Sequence, residues 1–144
     1  MRNRLLAVAV LVLAIGACDD DDDGEQYTAI LNGQNERPTA SNSTATGNGI
    51  LTVNSNRTIT YSLTQTGMTP TVQHIHGPAG AEGAAGIIVG VSLGTNLTLR
   101  PSDFTGTVSY DSLLVLLRNN MTYFNIHSLA FPGGEIRGNL RRSD

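Results

Sequence analysis

The sequence predicts an all-β protein, an antiparallel β-sandwich or barrel of about seven or eight strands with one short helix. Three observations carry this expectation. Apolar and polar residues alternate with period two, as in Thr58-Ile59-Thr60-Tyr61-Ser62-Leu63-Thr64, which marks a strand with one buried face. Breaks rich in Asn, Gly and Pro recur between such segments, among them Asn54-Ser55-Asn56, Gly77 to Gly83 and Pro132-Gly133-Gly134. The segments are rich in Thr, Val and Ile, which suit a pleated surface better than a helix.

In chain order, residues 1–17 read as a signal peptide. Arg2 and Arg4 precede a short apolar run from Leu5 to Ile15, and the small residues Gly16 and Ala17 follow. That run is too short to span a bilayer. Ile15-Gly16-Ala17-Cys18 resembles a bacterial lipobox, which implies lipidation of Cys18 and attachment to the membrane. The plainer reading is an ordinary secretory signal with a chance Cys at the cut. Residues 18–25 then form the lipidated Cys and an acidic tether, because the like charges of Asp19 to Asp23 repel one another and stay solvated. An Asp directly after the lipidated Cys resembles a signal for inner-membrane retention, a rule that does not hold in all bacteria.

Residues 26–144 make the domain. Strands are expected at Tyr27 to Leu31, Gly49 to Val53, Thr58 to Thr64, Val72 to His76, Gly86 to Leu93, Phe104 to Ser109, Met121 to Leu129 and Glu135 to Leu140. Asp111 to Arg118 is leucine-rich, opens on a capping-type residue and reads as a short helix that plugs an end of the sheet. A buried strand is the competing reading there.

The chain has one cysteine, so no internal disulfide supports the fold. No Gly-x-Ser-x-Gly elbow is present, and the anchor consumes the only thiol. A binding module is therefore expected rather than a catalyst. Beyond the tether, seven arginines face six acidic residues and lysine is absent. This near-neutral balance offers no footprint for nucleic acid.

The functional signal lies in the three histidines, His74, His76 and His127. On a strand, residues i and i+2 point the same way, so His74-Ile75-His76 offers two imidazoles to one ion. A third from a neighbouring strand completes a nitrogen set suited to copper or zinc. Ile75, Ile126 and Ile136 oppose the polar residues beside them. If these isoleucines face the core, His74, His76, Asn125, His127, Glu135 and Arg137 share one outer patch. Glu135 is then the expected acceptor for an imidazole N–H, with Arg137 as its charge partner. A metal-free hydrogen-bond network on the same residues is the alternative.

Asn32-Gly33-Gln34-Asn35-Glu36-Arg37-Pro38, His74-Ile75-His76-Gly77-Pro78, Asn125-Ile126-His127-Ser128 and Pro132-Gly133-Gly134-Glu135-Ile136-Arg137-Gly138 together resemble the CHRD domain, over residues 27–141. Arg37 departs from that pattern, where an apolar residue is usual, as does Ser128, where Thr is usual. The resemblance implies an extracellular β-sandwich module, here at the cell envelope, with an undefined protein or metal partner. A weaker similarity is to copper–zinc superoxide dismutase, which also uses a His-x-His strand and a later His for copper. The bridging and zinc-side ligands of that enzyme have no counterpart here. Three functions stand side by side: an anchored extracytoplasmic module with a copper or zinc site, a metal-free interaction module that uses the Gly77 to Gly86 loop, and a dismutase-like metalloenzyme.

Overall fold

A computed structural model of the chain describes residues 24–143. The signal peptide, Cys18 and the aspartate run lie outside the described residues. Nine strands form one antiparallel sheet: β1 (Glu25–Asn32), β2 (Thr46–Val53), β3 (Ile59–Thr66), β4 (Pro70–His76), β5 (Ile87–Val91), β6 (Gly94–Leu99), β7 (Tyr123–Ser128), β8 (Ile136–Asn139) and the short β9 (Arg141–Arg142). The single α-helix among the described residues, α1, spans Tyr110–Arg118. Glu25, expected in the tether, is the first residue of β1. Its carboxylate takes hydrogen bonds from Arg118 and Tyr27, which hold it below the usual carboxylate range.

The strand order is β5-β4-β7-β8-β1-β2-β3-β6, with β9 beside β1. The outermost strands β5 and β6 are consecutive in sequence, and Ser92 and Leu93 alone join them. The sheet must therefore curl until its two edges meet at that corner, giving a half-barrel. Tyr61 on β3 and Phe124 on β7, four strands apart in the sheet, approach with ring centroids 6.5 Å apart. The Tyr61 hydroxyl accepts the Ser92 N–H at 3.0 Å and fastens the corner. Gly49 on β2 makes the curl possible, because a Cβ there would stand 2.6 Å from the Phe124 ring.

The concave side holds the apolar core. Tyr27, Ala29 and Leu31 on β1, Leu51 on β2, Ile59, Tyr61 and Leu63 on β3, Ile75 on β4, Phe124 and Ile126 on β7 and Ile136 on β8 are buried in one cluster. The alternation read from the sequence is thus the physical inside–outside pattern. Helix α1 adds Tyr110, Leu113 and Leu117 to the same core. Ser109 caps it by accepting the Ser112 N–H, which satisfies one otherwise unpaired donor of the first turn.

One expectation is corrected and one strand is added. Phe104 to Ser109 is not a strand. It follows a 3-10 turn at Pro101–Asp103 and runs irregularly into the helix, with Phe104 edge-on against Tyr110 at 5.7 Å. The strand in that region is β6, earlier in the chain, which pairs with β3 across a register shift.

Candidate metal centre

The second layer of the molecule is polar. All six residues of β7 are buried, so its convex face is covered as fully as its concave one. Adjacent strands set the register: His74 pairs with Asn125 and His76 with Tyr123 across β4 and β7. Asn125 pairs with Arg137 and Tyr123 with Asn139 across β7 and β8. Directly opposed residues share a sheet face, and Ile75, Ile126 and Ile136 occupy the other one. His74, His76, Asn125, His127 and Arg137 therefore lie on the convex side, while Glu135 precedes β8 and stands outside its paired residues. They do not form an open patch, however. His76 and His127 are 8% exposed and Arg137 is fully buried.

Two loops make the roof. The Gly77 to Gly86 loop folds back over the sheet, where Arg137 donates to the carbonyls of Gly83 at 2.6 Å and Gly80 at 2.8 Å. The loop following β1 is held by Ser41, whose hydroxyl donates to the Glu135 carbonyl at 2.7 Å. Arg37 joins the two loops through Glu82 at 2.9 Å and so serves as a clasp.

Beneath the roof the three histidines converge. One ring nitrogen from each lies within 4.8 Å of the other two. His74 Nδ1 and His127 Nε2 are 3.3 Å apart. His76 Nδ1 donates to the Ala85 carbonyl at 2.9 Å, and His127 Nδ1 donates to the Pro132 carbonyl at 3.0 Å. Carbonyls only accept, so these contacts fix the Nδ1–H tautomer of both rings and leave each Nε2 with its lone pair. His76 Nε2 is buried and has no hydrogen-bond partner. Such an atom costs free energy unless something occupies its lone pair. Burial, reinforced by the neighbouring imidazoles, lowers the pKa of His74 and His76 from the ordinary 6.5. Both rings stay neutral at pH 7, the form that ligates metal.

The donor set fits a transition-metal ion. Ligand nitrogens at ~2.0–2.1 Å from a tetrahedral centre lie roughly 3.4 Å apart. The His74–His127 pair already has that spacing, and a nitrogen of His76 lies within 4.8 Å of both. In the metal-free protein the His74 Nδ1–H satisfies His127 Nε2. An ion held by His74 Nδ1 would leave the His74 proton on Nε2 instead, a tautomer change without a change of charge.

The surrounding residues play other parts than those expected. Glu135 does not reach an imidazole; its carboxylate accepts the Ser43 hydroxyl at 2.6 Å, while backbone carbonyls orient the rings. Arg137 pairs with the roof carbonyls rather than with Glu135, and its guanidinium lies 3.6 Å over the Tyr123 ring. His76 stacks on Tyr123 as well, with centroids 5.0 Å apart. Asn125 points to Glu36, with its amide nitrogen 3.5 Å from the carboxylate. Glu36 is 3% exposed, and burial pushes its carboxyl up to about 7 against the pull of Arg137. Sequence reasoning did not assign roles to Glu36 and Tyr123. The parity of Tyr123 with Asn125 and His127 was the available signal for the latter.

The fold and site define a small all-β domain with an apolar core on one side of a curled sheet and a roofed, histidine-bearing polar layer on the other. The family model of the CHRD domain matches residues 27–140, and the chain belongs to that family. No curated protein and no solved structure matches the sequence. Among the described residues, no helix is long and apolar enough to cross a membrane.

Proposed function

We propose that this CHRD domain is an extracytoplasmic binding module, tethered to a membrane through lipid on Cys18, that holds one copper or zinc ion on His74, His76 and His127. One observation carries the metal assignment: His76, whose Nε2 is buried and unpartnered, is one of three histidines that each bring a ring nitrogen within 4.8 Å of the others. A lone pair held in that position by Ala85 and Tyr123 has a use once an ion is shared. The signal-like leader and the cysteine after it support export and anchoring.

A second reading is favoured by the direct His74–His127 contact at 3.3 Å, which satisfies two of the three rings without metal. In that reading the domain is a metal-free interaction module. Metal analysis of the purified full chain separates the two. The metal reading expects about one equivalent of copper or zinc, lost in His76→Ala while the fold persists by circular dichroism. A chain that takes up no metal, or a His76→Ala variant that keeps it, refutes the assignment. Superoxide consumption by the copper form would add a dismutase-like activity.

A further inference from the structure

Resting on the proposed ion, we infer that the centre keeps an exchangeable coordination position on the Gly90 side, and that the absence of a side chain at Gly90 admits compact monodentate ligands. The walls of the site determine the direction. On the His76 side the roof loop is bonded through Ala85 to both His76 and Tyr123. On the His127 side the turn after β7 closes in through Pro132. On the β8 side Asn125 and Glu36 are buried. His74 alone among the three rings is partly exposed.

The residue across the ladder from His74 is Gly90 on β5, on the same sheet face. Gly90 is exposed, and a Cβ built on it would meet nothing within 4 Å. Here the glycine leaves free space beside the one ring of the three that is partly exposed. Val72, which pairs with His127, and Ile87, which pairs with His76, complete the rim. They are 43% and 56% exposed. The rim residues carry no charge. Three protein nitrogens leave a tetrahedral ion one position for an outside ligand. An uncharged, apolar rim favours ligands of two or three atoms over multiply charged ones.

Azide is a suitable probe, with the copper(II)-loaded full chain read by electron paramagnetic resonance. Azide should shift the spectrum of the unmodified protein. Gly90→Trp should keep its copper but weaken azide binding about tenfold or more. Val72→Trp provides the same test from the opposite rim should Gly90→Trp fail to fold. Ile50→Trp, on an exposed position of β2 away from the rim, should respond as the unmodified chain does. Azide binding unchanged in both rim variants, with copper retained, overturns the access route and leaves the metal site standing. Absence of copper from the unmodified chain overturns the metal site and this inference together.

Discussion

Burial changes the acid–base chemistry of Glu36 strongly. Its carboxyl, ordinarily near 4.5, is pushed up to about 7 by burial, and Arg137 only partly offsets that. A folded-state pKa raised above the unfolded value means that the native state binds the proton more tightly. The resulting stabilisation is complete below about pH 4.5 and is lost as pH rises through 7. Ionising this buried group costs on the order of 3 kcal/mol. Glu36→Gln removes the titration while retaining the shape. Its stability relative to the unmodified chain, from urea denaturation, should therefore improve between pH 5 and pH 8. An equal difference at both pH values would show that Glu36 does not titrate in this range. The same scale exposes a limit of sequence reading. The acceptors that orient His76 and His127 are backbone carbonyls of Ala85 and Pro132, and a carbonyl has no side-chain signature. Glu135, the visible carboxylate, was a natural expectation for that role, but Ser43 engages it.

At the scale of elements, the strands with clean alternation were legible because strand period is a local property. Ile59, Tyr61 and Leu63 face inward for the reason their spacing implies. β6 was hidden because Gly94 and Asn96 resemble turn residues, and both do adopt positive φ, at 142° and 56°. They are nevertheless part of a strand that pairs irregularly with β3. Phe104 to Ser109 shows the converse, since apolar residues at alternating positions can pack on the core from a loop. The roof loop was visible only as a Gly- and Ala-rich break. Its return onto the sheet depends on Arg137, which sits well over fifty positions away in sequence. Arg137→Met keeps much of the side-chain volume and removes both charged donors. It should destabilise the protein by roughly 2–4 kcal/mol. Amide exchange at Gly83 and Ala85, whose N–H groups bond Gly80 and Tyr123, should quicken more than that of β2 amides. Equal acceleration throughout would mean that Arg137 supports the whole fold and not the loop in particular.

At the scale of the whole molecule, one curled sheet separates two environments. Its concave side excludes water and holds the fold together without a disulfide. Its convex side gathers buried polar atoms, several of them unpartnered, under two loops. A fold that needed only stability would cover that face with apolar groups, because each unpaired buried polar atom costs on the order of 1–3 kcal/mol. On the proposed function, the polar layer serves an ion at its histidines. Anomalous diffraction from crystals of the chain grown with zinc or copper tests this most directly. The account predicts one strong anomalous peak at ~2.0–2.1 Å from a nitrogen of each of His74, His76 and His127. A structure with those rings well ordered, His74 still bonded to His127 and no anomalous peak among them would contradict it.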